Sequence, residues 1–319
     1  MRRKHRIGLA LGSGSARGWA HIGIIRALEE RGIKPDMVCG TSVGALVGAA
    51  YASGQLDKLE KWVTGLAWTT VVRLMDLSWS GGLIRGTRLF NLFGSILEDV
   101  DIDQFAVPFG AVATELASGR EVWLRHGRML DAVRASCALP GILQPAVHNE
   151  MLLVDGGLVN PVPVSMCRAL GAEVVIAVDL SWGKLGVYRD RSRDRSGDRS
   201  GDRVGDRNAS TDGTIELPAE PREKPGLLDR LGRGWLGRTA KEVESKVRMP
   251  SIIEVFTTSL DIVEMRVARS RLAGEPADVL LTPLLPRFKT MDFHRAKEAI
   301  AEGRATVERM APLIQQVLG

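Results

Sequence analysis

A chain of 319 residues with 45% hydrophobic content can bury a sizeable core, as one large domain or two small ones. Three cysteines, an odd number without ligand spacing, argue against a disulfide framework and for a reducing compartment; with no cluster of His, Cys and carboxylates, no metal is expected. The formal charge of +5 is compatible with weak attraction to anionic lipid, but scattered arginines without an aromatic-interleaved motif or a recognition helix argue against nucleic acid as a partner.

The basic start Met1-Arg2-Arg3-Lys4-His5-Arg6 precedes an apolar run, as in a signal peptide. The run at 7–11 is too short for that, and a glycine-rich turn follows at once, so it reads as a first, buried strand. The turn is Gly12-Ser13-Gly14-Ser15-Ala16-Arg17-Gly18, and residues 19–30 read as a helix. A glycine-rich turn that opens a helix aims several backbone N–H groups at one spot, with the helix dipole behind them. Such a spot suits a phosphate or the oxyanion of an acyl-transfer intermediate; the plain alternative is a tight turn that only packs helix on sheet. Nucleotides fit poorly. There is no Gly-Lys-Ser/Thr for a P-loop, and Arg17 stands where the third glycine of a dinucleotide fingerprint belongs.

Asp36-Met37-Val38-Cys39 reads as a short apolar strand. It enters Cys39-Gly40-Thr41-Ser42-Val43-Gly44-Ala45, a G-x-S-x-G, and residues 45–51 read as a small-residue helix packed closely beneath. Gly40 and Gly44 let a strand turn sharply into a helix without side-chain clashes, which lifts the Ser42 hydroxyl out of the fold. Cys39 reads as a small buried residue rather than a second nucleophile. Pro108-Phe109-Gly110-Ala111-Val112-Ala113-Thr114 is a further strand. Leu152-Leu153-Val154-Asp155-Gly156-Gly157 ends an apolar strand on an aspartate, where a sheet presents its functional groups. Gly156 and Gly157 let another backbone approach it, although Asp-Gly-Gly alone is usually only a turn. Asn160-Pro161-Val162-Pro163 follows, and Glu173-Val174-Val175-Ile176-Ala177-Val178-Asp179 is a strong buried strand. The alternation of strands and helices argues α/β with a largely parallel sheet, without a clean domain boundary before residue 182.

Residues 183–248 are unlike the rest. Asp190, Asp194, Asp198, Asp202 and Asp206 are each followed by arginine, and Gly197, Gly201 and Gly205 oppose a helix. The stretch reads as a disordered insertion in a surface loop, with a flexible tether to an anionic partner as the alternative. In residues 225–238, Leu227, Leu228, Leu231, Trp235 and the arginines have roughly helical spacing. A basic amphipathic segment on a membrane surface and a loop or lid over the active site suit this pattern equally, and Gly232, Gly234 and Gly237 weaken the first. No run of about 18 apolar residues predicts a spanning helix.

Taken in order, the glycine-rich turn with its arginine, the G-x-S-x-G and the Asp-Gly-Gly resemble the patatin-like phospholipase family. Arg134-Ala135-Ser136-Cys137-Ala138-Leu139-Pro140-Gly141 is similar to that family's segment between nucleophile and aspartate. Residues 252–272 and 278–283 are similar to bacterial members related to the catalytic domain of neuropathy target esterase. The resemblance covers about residues 5–182 and 250–318. It implies one domain over 1–319, a three-layer α/β/α hydrolase with a mainly parallel central sheet and a nucleophile elbow, interrupted by a low-complexity insertion at 183–249.

The resemblance also implies a Ser–Asp dyad, with Ser42 as nucleophile and Asp155 as general base. Gly12, Ser13, Gly14, Ser15 and Arg17 would form the oxyanion motif, with the amides of Ser13, Gly14 and Ser15 as donors and that of Val43 within reach. Many members carry consecutive glycines where this chain has Ser13 and Ser15. Serine keeps its N–H but adopts positive φ less cheaply. The implied activity is lipid acyl hydrolysis through an acyl-enzyme, on phospholipid, lysophospholipid or another acyl ester, without a cofactor. A cytoplasmic protein with peripheral contact at the inner membrane face is expected; the sequence does not give an oligomeric state. The alternatives are acyl transfer at the same site, or a non-catalytic lipid-binding or regulatory protein.

Apart from the family, a serine hydroxyl needs a base, and histidine is the usual one. There are five histidines: His5, His21, His126, His148 and His294. In the order serine, acid, histidine, only His294 follows Asp155, and it reads as a surface residue on the exposed first turn of a terminal helix. His21 reads as packing or capping beside the glycine-rich turn. A carboxylate serves instead if a dry, apolar setting raises its pKa, and Leu152, Leu153 and Val154 are consistent with such a setting.

Overall fold

The computed structural model describes residues 5–67, 87–181, 252–286 and 288–319. The insertion expected at 183–249, with its acidic–basic repeat and its basic stretch at 225–238, lies outside the described residues. The chain divides into two compact units, Met1–Asp190 with Thr257–Gly319, and Arg191–Phe256. The described elements belong to the first unit, apart from the opening residues of one helix.

Eight strands form one mixed, mostly parallel sheet: β1 (Ile7–Leu11), β2 (Met37–Thr41), β3 (Phe109–Glu115), β4 (Glu121–Leu124), β5 (Ala146–His148), β6 (Met151–Asp155), β7 (Val174–Val178) and β8 (Val279–Leu281). Their order is β5-β6-β3-β2-β1-β7-β8, with β4 also paired to β3. β1, β2 and β7 are near-continuous apolar runs, buried along their whole length, as strands with helices on both faces must be. The five central strands β3-β2-β1-β7-β8 are parallel, while β4, β5 and β6 pair antiparallel.

Eight α-helices are described: α1 (Ala20–Glu30), α2 (Val43–Ala52), α3 (Leu56–Thr64), α4 (Thr87–Ile96), α5 (Met129–Ser136), α6 (Val164–Ala169), α7 (Ile252–Gly274) and α8 (Ala296–Leu318). Alternate strand residues feed two cores. Leu9, Leu11, Val38, Ala111 and Ile176 join the larger one, with residues of α1, α2, α3, α5 and α8. Ala10, Cys39, Val112, Val175 and Ala177 join the other, with Met166 and Cys167 of α6 and Ala268 of α7. This is the three-layer α/β/α arrangement. Among the described residues no helix is long and apolar enough to cross a membrane.

The register around β3 positions the site. β3 pairs with three strands although a strand has only two edges. β2 covers residues from Phe109 to Val112, β4 those from Ala111 to Thr114, and β6 those from Ala113 to Glu115. β4 overlaps each of the other two, so it takes one edge alone. β2 and β6 therefore share the second edge and run head to head, with Thr41 opposite Val112 and Asp155 opposite Ala113.

Candidate active site

Ser42 caps α2 with φ 57° and ψ −125°, a strained backbone for a residue with a side chain. The tightness of the turn explains its glycines. A Cβ on Gly40 would lie 2.3 Å from the Gly44 carbonyl oxygen, and one on Gly44 would lie 2.1 Å from that of Leu11. Only bare backbone allows α2 to start so close under β1 and β2. The short helix expected at 45–51 is one residue longer at its far end and begins at Val43, directly after the serine.

The Ser42 hydroxyl donates to Asp155 Oδ2 at 2.6 Å. Asp155 is 1% exposed. Its other oxygen, Oδ1, accepts from the Gly157 amide at 2.8 Å, an Asx-type cap on the turn Gly156–Leu158 that fixes the carboxyl plane. Its backbone is held as well. Thr114 Oγ1 donates to the Asp155 carbonyl at 2.8 Å, and the Asp155 amide donates to the Ala138 carbonyl at 3.0 Å. Serine and aspartate, distant in sequence, are thus set by strands of one sheet and need no mobile loop.

The turn after β1 is tied down on both sides. The Gly12 amide donates to the Val178 carbonyl at 3.1 Å, and the Ser13 amide to that of Pro161 at 2.8 Å. The Ala16 amide donates to the Thr290 carbonyl and that of Arg17 to Gly14. Of the donors expected for an oxyanion, Ser13 gives its N–H to Pro161. The amides of Gly14, Ser15 and Val43 have no partner among the described residues. Ser15 has φ 50°, the left-handed conformation for which glycine would be the easier residue. A short 3-10 helix, Ser15–Trp19, precedes α1, so the predicted helix at 19–30 gains a tighter opening turn.

His21, fully buried, holds this turn from α1. Its Nε2 lies 2.8 Å from the Gly12 carbonyl oxygen, which can only accept, so Nε2 carries the proton and Nδ1 is bare. Burial pulls its pKa down to about 4, against a smaller upward push from that hydrogen bond. His21 is thus a neutral structural donor. Arg17 is also buried, and its Nη2 donates to the Phe288 carbonyl at 2.6 Å. Burial lowers its pKa, opposed by the charges of Asp261, Asp292 and Glu264. Arg17 therefore ties the turn to the segment before α8.

Three further residues complete the surroundings. Glu264 of α7 accepts from Ser13 Oγ at 3.0 Å, and a Cβ on Gly157 would lie 2.7 Å from its Oε1. Ser136, at the end of α5, accepts from the Ser42 amide at 2.9 Å and donates to the Val112 carbonyl at 2.6 Å. Burial pushes the Cys137 thiol well above its usual pKa, and the Asp155 charge pushes it further; the Ser42 hydroxyl only partly offsets this. Cys137 stays protonated and is no rival nucleophile. Cys39 is buried, with its thiol raised likewise by burial. The other histidines lie in different settings. His126 pairs with Asp103 on the surface, and His5 lies 3.6 Å from Glu173. His294 is half-buried in the 3-10 turn Phe293–Arg295 before α8, not in an exposed first turn, because that turn packs Phe293 against Trp19.

A family model described as patatin-like phospholipase matches residues 9–168. An NTE family protein of Mycobacterium tuberculosis is 34% identical over 330 residues, covering 94% of this chain and 89% of its own. A lysophospholipase of Mycosarcoma maydis is 34% identical over 189 residues, covering 54% of this chain but 10% of that protein. Among solved structures, VipD from Legionella pneumophila superposes with a TM-score of 0.51 at 12% identity, over 99% of this chain and 67% of the other; it bears on the fold alone.

Proposed function

The chain belongs to the patatin-like phospholipase family, and from that premise we propose that it is a lipid acyl hydrolase, a serine esterase of the phospholipase or lysophospholipase kind. The observation that carries this reading is the 2.6 Å hydrogen bond from Ser42 Oγ to Asp155 Oδ2 at a strained elbow. Ser42 attacks the ester carbonyl carbon while Asp155 takes its proton. The carbonyl oxygen becomes an oxyanion on the amides of Gly14 and Ser15, with Val43 from the start of α2. Asp155 passes the proton to the leaving alcohol, and the acyl group remains on Ser42. Asp155 then takes a proton from a water that attacks the acyl carbon; the bond to Ser42 Oγ breaks, the proton returns from Asp155 to that oxygen, and the fatty acid leaves.

The proposal extends to a single domain with an insertion at 183–249, and to phospholipid, lysophospholipid or a related acyl ester as substrate. The name of the Mycosarcoma maydis relative supports a lysophospholipid in particular. The test is a fluorophosphonate that labels activated serines, combined with a panel of lipid and short-chain esters assayed on wild type and Ser42→Ala. Stoichiometric labelling and release of fatty acid, both lost in Ser42→Ala, are expected. A folded wild type that neither labels nor hydrolyses any ester would instead favour a lipid-binding protein on this fold.

A further inference from the structure

The parallel ladder between β2 and β3 runs with a two-residue period. Val38 N–H donates to the Pro108 carbonyl, so the same pattern brings the Ser42 N–H round to the Val112 carbonyl. That bond is not made. At the elbow the chain leaves the sheet, and the Ser136 hydroxyl stands in the gap. It accepts from Ser42 N at 2.9 Å and donates to Val112 O at 2.6 Å. Ser136 is fully buried, so water does not substitute freely for it. Two residues on, the Ala138 carbonyl accepts the Asp155 amide at 3.0 Å. One short segment, 136–138, therefore grips both members of the pair, Ser42 through a side chain and Asp155 through the backbone.

We propose that Ser136 is a positioning residue for the reaction, its hydroxyl a spacer between Ser42 and the sheet that holds the nucleophile at the height where it meets Asp155. The proposal rests on the roles proposed above for Ser42 and Asp155. The chemistry selects a hydroxyl because one small group must donate and accept at once. Without it, the buried Val112 carbonyl and the part-buried Ser42 amide lose a partner, or the Ser42 amide falls back toward Val112 and drags the nucleophile with it. Either course moves Ser42 Oγ relative to the carboxylate that must take its proton. Displacements of about 1 Å in such pairs can cost about a hundredfold in rate.

Ser136→Ala and Ser136→Cys in the full chain test this, with three measurements on each: the rate of Ser42 labelling by a fluorophosphonate, kcat and KM on a short-chain ester, and thermal unfolding. In Ser136→Ala, labelling rate and kcat are expected to fall by about tenfold or more at nearly constant KM. Ser136→Cys keeps a similar shape with a weaker donor and acceptor, and its rates should fall between the two. A lowered melting temperature with wild-type kcat and labelling per folded molecule, in either variant, would overturn the proposal and leave Ser136 a packing residue. If Ser136→Ala does not fold, the cysteine variant decides on the same criterion. Absence of labelling in the wild type is a separate outcome: it overturns the reading of Ser42 itself, and this proposal with it.

Discussion

Ser42 and Asp155 meet because their strands arrive head to head on one edge of β3, with Thr41 opposite Val112 and Asp155 opposite the next residue, Ala113. One strand comes in parallel and the other antiparallel, so the C-terminal end of each points at the other. The contact is thereby set by ladder hydrogen bonds, which are more precise supports than loops. An aspartate one pairing step further along β6 would point to the opposite face of the sheet.

That geometry gives the Ser42 hydroxyl a carboxylate partner. Ser42→Ala and Asp155→Asn are each expected to lower ester hydrolysis by at least about a thousandfold, while leaving folding intact. His294→Ala should retain kcat within about twofold, a change far too small for the loss of a proton-transfer group. Initial rates on one ester, normalised to folded protein, check all three. Loss of activity in a folded His294→Ala would restore a triad reading.

Glycine and strand punctuation make the Ser42 elbow and the end of β6 legible in the sequence, because both are local backbone demands. The roles of Ser136 and Glu264 are not legible there. Ser136 lies in a segment that stands out only by its family likeness, and its task depends on how far the elbow lifts Ser42 from β3. Glu264 is one acidic residue on a long helix, without a motif, and comes to Ser13 only through the tertiary fold. The engagement of the Ser13 amide is hidden for the same kind of reason. Its partner, the Pro161 carbonyl, follows the Asp-Gly-Gly turn and is invisible to a reading of the first turn alone.

Gly44 is where crowding bears directly on the elbow. A methyl there would sit 2.1 Å from the Leu11 carbonyl oxygen and 2.8 Å from that of Gly12. Gly44→Ala must push α2 away from the turn that carries Gly14 and Ser15. We expect a loss of about 1–3 kcal/mol in unfolding free energy, as for overpacking in a close-packed interior, together with slower fluorophosphonate labelling. Urea titration followed by fluorescence measures the first. Unchanged stability would mean that the helix yields more easily than its contacts imply.

Ser15 offers the opposite test. At φ 50° a non-glycine residue costs about 1–2 kcal/mol, while glycine brings about 0.5–1 kcal/mol of extra unfolded-state entropy. Ser15→Gly should therefore stabilise the fold by up to about 1.5 kcal/mol, the largest difference between those terms. Its amide is retained, so kcat should hold. A thermal melt that falls in this variant would show that the Ser15 side chain contributes more than its backbone costs.

His21 sets an acid limit on the fold. Its pKa is about 4 in the native chain against an ordinary 6.5, so the folded-state value is depressed. Between those values the unfolded chain holds a proton that the native chain does not, and stability rises with pH. The contribution is fully present above pH 6.5 and is lost as the pH falls toward 4, by about 3 kcal/mol in all at about 1.4 kcal/mol per pH unit. Below pH 4 both states are protonated and this group adds no further slope. His21→Gln keeps an N–H for the Gly12 carbonyl and does not titrate. Urea unfolding at several pH values from 4 to 7 should show wild type losing more stability than His21→Gln across that window, by about that 3 kcal/mol. Parallel profiles would mean that His21 takes up its proton in the folded protein without opening the turn it holds.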